Sequence, residues 1–144
     1  MKSDIGVWLD HSGAVLIHMQ SGHAVAGERI ASNIEPKRSS RRHEKRTSST
    51  HRAPTRAKHD ENRRREQIKA YYAGLARTLR DADRVLVIGP SVAKYELADA
   101  LRRRKANAPR VVAVEACDRM TPRQLLRHVE TFFAEHAPAR PAAR

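Results

Sequence analysis

The spacing of apolar positions changes several times along this chain, and each change marks an element. Near the start, Ile5, Val7 and Leu9 alternate with polar or small residues, the period of a strand with one buried face. After a turn at 11–13, residues 14–19 read Ala-Val-Leu-Ile-His-Met, too apolar for alternation and expected of a strand covered on both faces. A weaker third run over 23–30 is interrupted by Gly27, which predicts a bulge or an edge strand. Short Gly-containing turns between the three runs predict an antiparallel meander.

From Ile68 onward the period lengthens. Ile68, Tyr72, Leu75 and Leu79 lie four, three and four apart, which predicts a helix over about 62–79. Residues 84–88 form a short apolar strand ending in Gly89-Pro90-Ser91, with Ser91 as the expected N-cap of a second helix that buries Ala93, Leu97 and Leu101. Residues 110–115 are the last strand. Thr121-Pro-Arg-Gln124 then combines a Thr cap, Pro at the first helical position and Gln three residues after the cap, so a third helix begins there and buries Leu125, Val129, Phe132 and Phe133. Strands that alternate with helices imply parallel pairing through right-handed crossovers. The predicted fold is α/β: a mixed five-stranded sheet in the order 3-2-1-4-5, an antiparallel meander followed by two parallel strands, with three helices in a ribonuclease H-like layout. One domain over 1–137 is expected, carrying a long loop at 34–62, with a frayed Pro/Ala/Arg-rich tail at 138–144.

Charge alters this picture at one place. Residues 36–66 hold twelve basic side chains, Lys37, Arg38, Arg41, Arg42, Lys45, Arg46, Arg52, Arg56, Lys58, Arg63, Arg64 and Arg65, against four acids, so they carry +8 of the chain's +13. Apart from prolines, their only apolar side chains are Ala53 and Ala57. Such a stretch buries too little to offset its ordering entropy and is expected to be a mobile cationic arm. Clustered charge and a sequence pI near 11.0 make polyanions the expected partners, nucleic acid first and an anionic membrane surface second. Arg63, Arg64 and Arg65 fall in the first turn of the expected helix and oppose its dipole, a conflict that a phosphate would relieve. The arm has no aromatic residue, so it predicts phosphate binding rather than base stacking. Its bland reading is a solvated, dispensable loop.

The candidates for chemistry are few. Asp10 ends the first strand, and Glu115 and Asp118 follow the last; converging, they would hold magnesium and activate water, as in a ribonuclease H-like nuclease. Strand four ends in Gly89-Pro90, where a further acid would be wanted. The turn from Gly89 to Lys94 offers backbone N–H groups to a phosphate but lacks the glycines of a P-loop, so a structural turn is expected. His43, His51 and His59 have no Cys partners for zinc. The basic cluster Arg102, Arg103, Arg104 and Lys105 suits a helix C-terminus as well as it suits nucleic acid. Cys117, the lone cysteine, has apolar neighbours and is expected to be inert. No apolar span is long enough to cross a bilayer and no signal-type run opens the chain, so a cytoplasmic location is expected. These readings point to no catalytic residue, no cofactor and no metal.

Four stretches together resemble a known family: Gly6-Val-Trp-Leu-Asp-His11, the arm followed by a helix with Tyr71-Tyr72, Val87-Ile-Gly-Pro-Ser-Val-Ala-Lys94, and Val114-Glu-Ala-Cys-Asp-Arg-Met-Thr121. In order and spacing, over about 5–133, they resemble the middle domain of archaeal and eukaryotic class-1 peptide-chain release factors and of the ribosome-rescue factor pelota, and small bacterial relatives labelled translational machinery proteins. In release factors the connection after the third strand carries the hydrolytic Gly-Gly-Gln. Here that connection is the arm, and there is no glycine between Gly27 and Gly74. The resemblance therefore implies a non-hydrolytic, pelota-like role: a ribosome- or RNA-associated protein that binds rRNA or tRNA phosphates through the arm; it also implies flanking domains, which a protein partner is one candidate to supply. A general nucleic-acid binder is the other alternative to the nuclease.

Overall fold

The computed structural model describes residues 3–34, 53–104 and 108–136, and in the first helix the side chains from Lys58 onward. The elements are β1 (Asp4–Leu9), β2 (Gly13–Gln20), β3 (His23–Ala31), α1 (Ala53–Thr78), β4 (Arg84–Gly89), α2 (Ala93–Arg103), β5 (Arg110–Ala116) and α3 (Pro122–Glu135). They form one five-stranded sheet in the order β3-β2-β1-β4-β5. The β1–β2 and β2–β3 pairs are antiparallel, and the β1–β4 and β4–β5 pairs are parallel. This is the predicted α/β layout.

Alternation along the strands sorts side chains to two faces. Ile5, Val7, Leu9, Leu16, Val85 and Val87 point to one, where Tyr72, Leu75 and Leu79 of α1 and Leu97 and Leu101 of α2 cover them. Ile17, Leu86 and Ile88 point to the other and meet Leu125, Val129, Phe132 and Phe133 of α3. β4 is continuously apolar because both of its faces are covered.

The weak third strand is both an edge and bulged. Pairing steps from Val15↔Arg29 to Ile17↔Ala26, which leaves an extra residue on β3 at Gly27 and Glu28. A Cβ at Gly27 would collide with the His18 ring and lie 2.9 Å from the Leu16 carbonyl oxygen. Below the sheet, Arg84 closes the parallel pair, with Nε donating to Asp4 Oδ1 at 2.9 Å and the guanidinium resting over the Phe133 ring.

The helix starts test the capping signals. At α3 the full capping box forms: Gln124 N donates to Thr121 Oγ1 at 3.1 Å, and Thr121 N donates to Gln124 Oε1 at 3.0 Å. At α2 the expected Ser91 cap does not hold. Val92 is the N-cap, in helical conformation, and no side chain caps it. Ser91 Oγ accepts from Ala93 N at a long 3.4 Å, one residue ahead of the Val92 cap.

The largest correction concerns α1, which begins at Ala53 rather than near residue 62. Part of the stretch expected as a mobile loop is thus helical, while residues 35–52 lie outside the described residues, as does the tail expected at 138–144. The sequence supports the longer helix without any apolar stripe. Residues 56–67 are mostly Arg, Lys, Glu, Gln and Ala, all good helix formers, and Asp60 and Glu61 stand four residues before Arg64 and Arg65. The buried half of the helix supplies the nucleus, and adding turns to an existing helix avoids the costly first turn. Arg63, Arg64 and Arg65 accordingly sit about three turns in, beyond the reach of the N-terminal dipole, and the predicted conflict is absent.

Candidate nucleic-acid interface

The site is assembled where β1, β4 and β5 end, the edge at which open α/β sheets present their loops. β3 also ends there, joined to the first turn by Ser32 N donating to Ser12 O at 3.0 Å. α1 descends from above this edge and is tied to it by adjacent tyrosines. Tyr71 OH donates to the backbone oxygen of Asp10 at 2.9 Å. Tyr72 OH donates to Glu96 Oε1 on α2 at 2.5 Å, and the same oxygen contacts His11 Nε2 at 3.1 Å.

These contacts shift the groups that make them. Burial, reinforced by the Asp10 charge for Tyr71 and by the hydrogen bond to Glu96 for Tyr72, pushes both phenols well above their ordinary range, so both stay protonated donors. Burial would raise the Glu96 carboxyl, but the hydrogen bonds from Tyr72 and His11 and the nearby charges of His11 and Arg64 outweigh it and hold it below the usual value. Asp10 behaves similarly. Burial raises it, while the Ser12 hydroxyl, the amides of Ser12 and Gly13 and the more distant Arg119 bring it below the usual carboxylate range. The Cys117 thiol is pushed up by burial and then by the Glu115 charge, as suits an inert thiol.

Above the tyrosines the helix changes character. Counting back from Leu79 in sevens gives Tyr72, Arg65 and Lys58. Seven residues are close to two turns, so all four share one side of α1. Leu79 and Tyr72 are buried, whereas Arg65 and Lys58 are exposed. Between Lys58 and Gln67 no side chain is buried. The segment from Ala53 to Gln67 therefore stands about 20 Å beyond the tyrosine anchors. The side that packs on the sheet below continues as a cationic side that overhangs the sheet edge.

Of the twelve predicted phosphate ligands, Lys37, Arg38, Arg41, Arg42, Lys45, Arg46 and Arg52 lie outside the described residues, and Arg56 is placed on α1 by its backbone. Lys58, Arg63 and Arg65 are exposed and Arg64 is partly buried beside Tyr72 and Glu96. Two cations missed in the sequence belong with them. Lys69, exposed on α1 four residues after Arg65, extends the same side. Arg119, 81% exposed, stands 4.0 Å from Asp10 Oδ2 at the end of β1. The four-residue spacing from Arg65 was a signal for the first; only the fold brings the second to this edge.

Among the described residues, the carboxylates of the nuclease alternative do not build a metal site of three ligands. Asp10 Oδ1 accepts from Ser12 N at 2.8 Å, Ser12 Oγ at 2.7 Å and Gly13 N at 3.1 Å, which holds it to its own turn. Glu115 turns to α3, where its Oε1 lies 3.1 Å from His128 Nε2. Among the described residues no group of three or more His, Cys, Asp or Glu side chains is placed to share a metal ion. At the Gly89 turn a Cβ would collide with the Leu9 carbonyl oxygen, so packing against β1 requires glycine there. In the basic cluster at the C-terminal end of α2, Arg103 pairs with Asp99 at 2.8 Å, and Lys105 lies outside the described residues.

Neither a protein-family model nor a curated protein matches the chain. Its fold does match a solved structure, that of Pelota from Archaeoglobus fulgidus, with a TM-score of 0.51 and 14% sequence identity, over 93% of this chain and 34% of that one. The chain therefore has a pelota-like fold and spans about a third of that protein's length. Among the described residues no helix is long and apolar enough to cross a membrane.

Proposed function

We propose that this chain is a non-catalytic ribosome- or RNA-associated protein of the release-factor and pelota middle-domain type, which takes rRNA or tRNA phosphates on the basic segment between β3 and the tyrosine anchors. The observation that carries this reading is the change along one side of α1, from Leu79 and Tyr72 in the core to Arg65 and Lys58 above the sheet edge. Cations on a rigid rod are spaced along it by the helix rise, as suits contacts to successive phosphates; Lys69 and Arg119 add to them at its base. The pelota-like fold and the absence of Gly-Gly-Gln agree with a role that does not hydrolyse peptidyl-tRNA. The nuclease alternative loses ground because Asp10 and Glu115 are each engaged elsewhere.

Ribosome pelleting tests the reading. The full chain is expected to co-sediment with ribosomes and to be released steeply as salt rises from about 50 to 200 mM. Replacing the basic residues at 37–58 and Arg65 and Lys69 by Gln should abolish co-sedimentation, and RNA should remain intact when magnesium is present. Binding untouched by that neutralisation would sink the proposal. Plain duplex DNA that competes as well as ribosomes do would mark a general polyanion binder instead.

A further inference from the structure

We propose that Tyr95, with Val92 beside it, is a stacking platform for an unpaired base of a single-stranded RNA. This rests on the phosphate-binding reading above and adds to it a second kind of contact, for which the arm has no Phe, Tyr or Trp.

Among the described residues, Val25, Val92 and Tyr95 are the large hydrophobic side chains left exposed. Val25 stands alone on the edge strand, and a solitary exposed apolar residue is ordinary. Val92 and Tyr95 are different: they are 55% and 56% exposed and three residues apart at the start of α2, so they adjoin on one side of its first turn, next to exposed Pro90.

The ring is also supported from behind. Lys94 is only 4% exposed; its Nζ donates to Ser91 O at 2.7 Å and lies 4.5 Å from the Tyr95 ring centroid. A buried cation thus holds the ring by a cation–π contact while over half of the residue remains open. A tyrosine fixed in this way loses little further conformational freedom when something stacks on it.

Position and charge select the occupant. The next residue, Glu96, receives the Tyr72 and His11 contacts that tie α2 to α1, which puts the platform one residue along α2 from the junction at the base of the cationic overhang. Two acids of α2 are engaged: Glu96 in that cluster and Asp99 with Arg103 at 2.8 Å. A polyanion drawn to Arg65, Lys69 and Arg119 therefore arrives beside an open aromatic ring. Acidic peptides and anionic lipid headgroups supply the charge but not a repeating flat π-face. A single strand supplies both, whereas a duplex keeps its bases stacked on one another.

The test uses the full chain and two RNA probes, a single-stranded oligonucleotide containing 2-aminopurine and a duplex of equal length. Wild type and Tyr95→Phe should quench 2-aminopurine on binding. Tyr95→Ala should lose the quenching and bind the single strand roughly ten-fold more weakly, with duplex affinity unchanged within about two-fold. Tyr95→Lys should also lose the quenching although it adds a charge, which separates stacking from attraction and covers any folding defect of the Ala variant. Quenching and single-strand affinity that survive in both ring-less variants would overturn the platform and leave the phosphate reading intact. Failure of wild type to bind either probe at low salt would overturn both. A wild-type dimer that Tyr95→Ala dissolves would show the patch to be a contact between copies, and the platform would again fall.

Discussion

The two halves of α1 are one continuous helix held by different forces. From Ile68 to Thr78 it is held by burial, with Tyr71, Tyr72, Leu75 and Ala76 against the sheet. From Ala53 to Gln67 none of its described side chains is buried, and it persists as an extension of a nucleus formed below. In the lower half, then, residue identity is set by packing and by the two tyrosine hydrogen bonds. In the upper half packing sets little beyond the partly buried Arg64 beside Tyr72 and Glu96, and five basic residues stand there against three acids.

The largest effect that sharpens this contrast is a cavity in the lower half. Leu75 is fully buried, so Leu75→Ala should lower the unfolding free energy by about 3 kcal/mol, read from the denaturation midpoint. Lys58→Ala should change it by less than about 0.5 kcal/mol. Equal effects would mean that the upper half is packed after all. A middle-sized effect is expected at the junction. Tyr72→Phe leaves the ring in place and removes a hydrogen bond to a carboxylate, which should cost about 1.5 kcal/mol.

Acid should loosen the same junction. Asp10 and Glu96 both have folded pKa values held below their unfolded ones. Their contribution is therefore present above the ordinary carboxylate range, near pH 4, and is lost as pH falls through the depressed folded values. The melting temperature should drop as pH is lowered from about 6 to 3, and less so in a Glu96→Gln variant. Because both groups are partly exposed, this effect is expected to be smaller than that of the Tyr72 substitution. A melting temperature flat over that range would show that neither carboxylate supports the docking.

The same contrast explains what was legible in the sequence. Hydrophobic periodicity reports burial, so it located Ile68, Tyr72, Leu75 and Leu79, and through them the lower half of α1 and the core it joins. It was silent about Ala53 to Gln67, because a helix that buries nothing has no apolar stripe; only propensity and the four-residue spacing of Asp60 and Glu61 from Arg64 and Arg65 spoke for it. Strand order was legible because alternating elements admit few topologies. Arg119 and Tyr95 were not, because their meaning comes from tertiary neighbours: Arg119 reaches Asp10 across the sheet edge, and Tyr95 is exposed above a lysine whose burial nothing in its local sequence announces. The Ser91 cap failed because the helix starts one residue later, at Ala93, with Val92 as its N-cap.

The smallest expected change in stability carries the most information about function. Arg65 lies on the same side of α1 as Tyr72, seven residues earlier, and is exposed. Arg65→Gln keeps a good helix former, so the unfolding free energy should move by less than about 0.5 kcal/mol. If Arg65 meets a phosphate, the slope of log affinity against log salt should become shallower by up to about one unit. Arg80 offers the control: it is exposed at the other end of α1, beyond Thr78 and away from the overhang, and Arg80→Gln should leave the slope unchanged. Equal slopes for the two variants would mean that RNA responds to net charge alone, and the upper half of α1 would then have no privileged part in binding. A loss confined to Arg65→Gln would place the phosphate path on the side of the helix that leaves the core at Tyr72.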